Sequence, residues 1–152
     1  MCSERTRHKS GSQWRNFYGR FKGKSLSAKQ SETLRVEFAK YSIKNISWEE
    51  NPQRKPLNLT KLFAKKNIWL EIGFGGGEHL MHQAKLNPDI GIIGCEPYIN
   101  GLAMLLRKIS EHPCDNVRQY VGAVRNIIDL LPKSTIEKVF LLYPDPWPKK
   151  KH

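Results

Sequence analysis

The feature that most constrains this chain is an apolar run that breaks directly into glycine. Ile68-Trp-Leu-Glu-Ile72 leads into Gly73-Phe-Gly75-Gly76-Gly77, and helical spacing begins just after it. A short apolar run bounded in this way reads as a buried strand. Glycine supplies positive φ angles and lets a ligand approach the main chain closely. Strand, bare turn and helix are therefore expected in that order. Residues 78–87 place Leu80, Met81 and Ala84 on one helical face. Ile90–Cys95 reads as a second strand, and residues 98–110 repeat Ile99, Leu102, Ala103, Leu106 and Ile109 at helical intervals. Val117–Val121 is a third strand, Arg125–Leu131 a short helix stopped by Pro132, and Glu137–Tyr143 a fourth strand. Strands alternating with helices imply βαβ units, hence an α/β chain with a doubly wound parallel sheet of Rossmann-like type.

In such a sheet, ligands bind beyond the carboxyl ends of the strands, at this turn. The dinucleotide fingerprint is G-x-G-x-x-G, which seats a pyrophosphate on the helix N-terminus. Here the spacing is G-x-G-x-G through Gly73, Gly75 and Gly77, with Glu71 two residues ahead. A carboxylate there repels a pyrophosphate but can accept from the amino group of a cationic amino-acid ligand. The second strand closes with Cys95-Glu96, where an acid accepts from ribose hydroxyls; a plain surface acid at a strand end is the alternative. Together these acids favour S-adenosylmethionine (SAM) over a nicotinamide dinucleotide, with no metal.

The fourth strand runs into Pro144-Asp-Pro-Trp-Pro-Lys149-Lys-Lys-His152. Alternating prolines stiffen the segment and fix the directions of the side chains between them. A fourth strand lying beside the first would bring Asp145 next to the glycine turn. A proline-rich exit linker with a basic tag is the simpler reading, but it leaves an Asp and a Trp at the strand tip without a reason.

Charge is distributed unevenly. Of the net +12, residues 1–66 hold 16 Lys and Arg against 5 acids, and residues 67–152 hold 10 against 9. A basic N-terminal arm thus precedes a nearly neutral body, and such arms bind phosphate backbones by displacing counterions. Trp14, Phe17, Tyr18 and Phe21 lie among its charges and could stack on bases or pack on the body. A solvated tail is the bland alternative. Ser31–Tyr41 could form a short helix, and Pro52 and Pro56 break a connector that leads to Leu62 and Phe63. Cys2, Cys95 and Cys114 have no metal or redox spacing, and Cys95 reads as a buried apolar residue. Without a signal peptide or about 20 consecutive apolar residues, a cytoplasmic location and no membrane partner are expected. His79, His82 and His112 read as surface residues rather than ligands.

Three blocks, Leu70-Glu-Ile-Gly-Phe-Gly-Gly-Gly77, Gly94-Cys-Glu-Pro97 and above all Pro144-Asp-Pro-Trp-Pro-Lys-Lys150, resemble the bacterial tRNA (guanine-N7)-methyltransferases of the TrmB type. Milder similarity reaches back to Tyr18-Gly-Arg-Phe-Lys-Gly-Lys24. The resemblance implies a SAM-dependent enzyme acting on a variable-loop guanine of tRNA. It implies that Glu71, Gly73, Gly75, Gly77, Glu96, Ala123 and Asp145 line the SAM site. Asp145 would be the catalytic acid, and Lys149, with Arg20 and Lys22 of the arm, would contact tRNA. At Ala123 the family usually has a carboxamide or carboxylate near adenine, which this chain lacks.

Family members also continue past the Pro-Asp-Pro-Trp block with more strands and a Thr-x-x-Glu motif. Apolar residues on both faces of the fourth strand, Val139 and Leu141 against Phe140 and Leu142, describe a covered strand with no later strand to pair. The expectation is a C-terminally truncated chain: a basic arm and connector over residues 1–66, then the N-terminal half of a methyltransferase domain over residues 67–152. The competing readings are a catalytically inactive remnant that at most binds SAM or RNA, and a dinucleotide-binding domain.

Overall fold

The structure is a computed structural model that describes residues 23–65 and 67–142. Helix α1 (Ala28–Tyr41) starts three residues earlier than the sequence pattern suggests. A capping box sets its start: Ser27 Oγ accepts from the Gln30 amide and Gln30 Oε1 accepts from the Ser27 amide. Two otherwise orphaned helix donors are satisfied reciprocally. Ser27→Ala is expected to cost about 1 kcal/mol of unfolding free energy, read from urea denaturation. An unchanged midpoint would mean that α1 is held by packing alone.

Helix α2 (Leu59–Phe63) falls where the sequence suggests only a connector; Asn58 caps it and Ala64 ends it in the left-handed conformation. Strand β1 (Asn67–Ile72), helix α3 (Glu78–Leu86), strand β2 (Ile90–Cys95) and helix α4 (Ile99–Glu111) follow as their periodicity indicates. Strands β3 (Val117–Tyr120) and β4 (Ile136–Leu141) complete the described sheet. Between them, the helix expected over Arg125–Leu131 is instead two short 3-10 turns, Val124–Asn126 and Ile128–Leu130. Two single turns meet the local hydrogen bonds without the length an α-helix needs to be stable.

The sheet is fully parallel with order β3-β2-β1-β4, so the fourth strand does lie beside the first. Side-chain alternation sends Trp69, Ile92 and Val117 to one face and Ile68, Leu70, Ile93 and Cys95 to the other. The first face packs against α3 and α4, with α1 lying over α4. Ile43, Ile46, Leu57, Leu59, Phe63, Ile127 and Leu130 cover the second. The stretch from Tyr41 to Phe63 is therefore a wall of the core, and Ile43 also donates its amide to Gln119 along the outer edge of β3. Arg54 pins this wall in place: its guanidinium donates to Ile46 O, Asn126 O and both Asp129 oxygens while lying over the Trp48 ring.

Candidate cofactor site

The glycine turn hangs from the carboxyl end of β1. Gly73, Gly75 and Gly77 have φ of +73°, +55° and +79°, a region any side chain would strain to enter. A Cβ built on Gly73 or Gly75 would meet none of the described residues within 4 Å, and both glycines are exposed. Gly73 donates to Cys95 O, tying the turn to the neighbouring strand end. The close approach is made from α4, because a Cβ on Gly101 would lie 2.2 Å from Gly75 O. Backbone on both sides leaves nothing soft to yield. Gly101→Ala is expected to cost about 2 kcal/mol of stability, helix propensity notwithstanding, and to loosen the turn. A denaturation midpoint equal to the parent's would show that α4 can slide without cost.

Both sequence-assigned acids come to this turn. Glu96, at the end of β2, is buried, unlike a surface acid. Its Oε2 accepts from the Gly75 amide at 2.8 Å and its Oε1 from the Tyr98 amide at 2.9 Å. Each oxygen keeps a lone pair for a further donor. Glu96 thereby fixes both the glycine turn and the start of α4. Gly122 donates to Glu96 O, which brings Ala123, partly exposed at the start of the first 3-10 turn, to the same side of the sheet.

Glu71 is only 2% exposed, on the face that carries α3. Burial pushes its carboxyl above the ordinary carboxylate value, and a hydrogen bond with His79 pulls it the other way. His79 Nδ1 lies 2.8 Å from Glu71 Oε2, whereas Oε1 has no partner among the described residues. His79, read from the sequence as a surface helix residue, lies on α3 with its side chain partly exposed, but the turn folds α3 back over β1 and brings it to Glu71. No spacing within the motif signals this contact, which depends on how α3 leans over the sheet.

Lys108 braces the other side, donating to Gly76 O and to Glu78 Oε1, and it lowers the Glu78 pKa. Asn100, also missed, binds Gly23 and Lys24 through both ends of its amide, so the root of the basic arm is held at the start of α4. Cys95 is buried, and desolvation pushes its thiol up to about 12, in line with an inert apolar role. Asp145 and Lys149, like Arg20 and Lys22, lie outside the described residues. Among the described residues no His, Cys, Asp and Glu cluster is arranged to hold a metal ion, and no helix is long and apolar enough to cross a membrane.

The parallel β3-β2-β1-β4 sheet, with a bare turn after β1 and a buried carboxylate closing β2, is a Rossmann-like fold. A family described as "Putative methyltransferase" matches residues 65–152, more than half of the chain, and the chain belongs to that family. It is 53% identical over 146 residues to the "tRNA (guanine-N(7)-)-methyltransferase" of Ruegeria sp. (strain TM1040), covering 96% of this chain and 57% of that protein. Proteins of the same name from Roseobacter denitrificans and Ruegeria pomeroyi are 59% and 57% identical, each over 91% of this chain and 59% and 58% of their own length. The chain therefore spans less than two thirds of the relatives it matches.

Proposed function

We propose that this chain is the cofactor-binding part of a SAM-dependent tRNA (guanine-N7)-methyltransferase. The observation that carries the reading is the pairing of two buried carboxylates, Glu71 and Glu96, around a glycine turn open to solvent at Gly73 and Gly75. The site suits SAM: Glu71 offers an unused carboxylate oxygen to an ammonium, and Glu96 offers lone pairs to a ribose diol. A pyrophosphate would meet the Glu71 charge instead. In this reading residues 67–152 are the N-terminal half of the methyltransferase domain. Residues 1–66 are the arm and connector, of which the later part also walls the core.

Bound SAM supplies an electrophilic methyl on a sulfonium. Guanine N7 keeps its lone pair in the neutral base and needs no prior deprotonation, so the protein's work is alignment of donor and acceptor. Gly73, Gly75 and Gly77 would let the main chain approach the donor, and Ala123 would line the site on its adenine side. Asp145 accepts from the ring and amino protons of guanine and stabilises the positive charge that develops on the base. Lys149, Arg20 and Lys22 hold phosphates of the tRNA.

Calorimetric titration with SAM and with NAD, followed by methyl transfer to bulk tRNA, tests the proposal. Saturable SAM binding without NAD binding is expected, with N7-methylguanine as product. Preference for NAD would overturn it. SAM binding without transfer would restrict the chain to cofactor binding.

A further inference from the structure

Helix α3 carries a polar ridge that the proposed chemistry does not use. His79, Gln83 and Asn87 recur every four residues, so their side chains stack along one line of the helix. Contacts run along the line: Asn87 Nδ2 lies 3.4 Å from Gln83 Oε1, Gln83 Nε2 lies 3.4 Å from His79 Nε2, and His79 Nδ1 lies 2.8 Å from Glu71 Oε2. The base of the ridge is anchored, since Asn87 Nδ2 also donates to Gln83 O, and Asn116 Nδ2 donates to Asn87 O. The Phe140 ring packs edge-on against the imidazole at 4.8 Å between centroids.

With Glu71 ionised and His79 neutral, the chain of donors runs in one sense. Glu71 accepts, so Nδ1 carries the proton. Nε2 is then an acceptor for the Gln83 amide, whose oxygen accepts from Asn87. We infer that His79 is a positioning residue for the cofactor's amino-acid moiety: it holds Glu71 Oε2, so that Oε1 is presented to the ligand's ammonium. The inference rests on the SAM reading of the site. A second physical effect works in the same direction. Burial raises the Glu71 pKa, and the His79 hydrogen bond opposes that rise, favouring the charged form that an ammonium would recognise.

The test compares SAM with 5′-methylthioadenosine, which keeps the adenosine but lacks the ammonium and the carboxylate. His79→Ala and His79→Gln are expected to weaken SAM binding about tenfold by calorimetry, the size of one lost hydrogen bond to a charged group. Binding of methylthioadenosine should change less than about twofold. His79→Asn should bind SAM like the parent, because the asparagine Nδ2 sits where the imidazole Nδ1 does, whereas glutamine places its amide one carbon further out. Equal loss for both ligands would mark a merely structural role and overturn the inference, as would unchanged SAM affinity in His79→Ala. Rescue by glutamine but not asparagine would overturn the Nδ1 assignment. If the parent chain itself binds neither ligand, the cofactor reading fails first and takes this inference with it.

Discussion

Glu71→Gln is expected to weaken SAM binding by about 100-fold while raising the melting temperature of the unliganded chain at neutral pH. The two effects have one cause. The carboxylate is buried, its Oε2 is held by His79, and its Oε1 has no partner among the described residues. Removing one partner of a buried charge pair costs about 3 kcal/mol of binding, a factor of about 100. The stability effect follows from the direction of the pKa. A carboxyl that is harder to ionise folded than unfolded holds its proton more tightly in the native state. Its ionisation therefore opposes folding. The penalty is absent at pH values well below the ordinary value of 4.5, grows as pH rises toward the raised native value, and is full above it. The melting-temperature gain of the glutamine variant should accordingly shrink as pH falls. Calorimetric melts at several pH values, paired with SAM titrations, check both halves. SAM affinity equal to the parent's would remove Glu71 from the ligand; a lower melting temperature at neutral pH would mean that the carboxylate holds the fold together.

Asp145→Ala is expected to abolish methyl transfer while leaving tRNA retention largely intact. Leu141 pairs with Ile72, the last residue before the glycine turn. Four further residues of chain cannot extend beyond about 14 Å, so Asp145 is tethered to the neighbourhood of the site by connectivity alone. Its proposed task, accepting guanine protons as the base becomes cationic, matters in the transition state more than in binding. The loss should therefore fall on turnover, by about 100-fold or more. The measurement is labelled methyl transfer beside filter retention of tRNA, in this chain and for the corresponding change in a full-length relative. Retention lost in step with turnover would reassign Asp145 to RNA binding.

Much of this architecture was legible in the sequence, because parallel-sheet units write themselves periodically. The run Ile68–Ile72, the glycines after it and the α4 spacing of Leu102, Leu106 and Ile109 each carry their own period, and each element formed where expected. The wall on the second face was not legible. Ile43, Ile46, Leu57 and Phe63 are spread over an irregular connector with no shared period, and their burial is decided by tertiary packing and by Arg54. In the site, Glu71 and Glu96 could be found from their places at strand ends. His79 and Asn100 could not, because their partners depend on how helices lean back over the sheet rather than on spacing within a motif.

The pairing of β4 with β1 has a kinetic meaning. Strands β1 and β2 meet through a short crossover, whereas β4 reaches β1 only after the whole intervening chain has been laid down on the other side. Closing so long a loop is entropically slow. Val139 and Leu141 are also 53% and 56% exposed, so β4 gains less from docking than its neighbours do. Its late pairing and exposed outer residues make β4 a candidate for early release, and Asp145 lies four residues beyond its end. Under the proposed roles, partial detachment of β4 is expected to silence methyl transfer at temperatures where the glycine turn still holds its ligand, separating loss of turnover from melting.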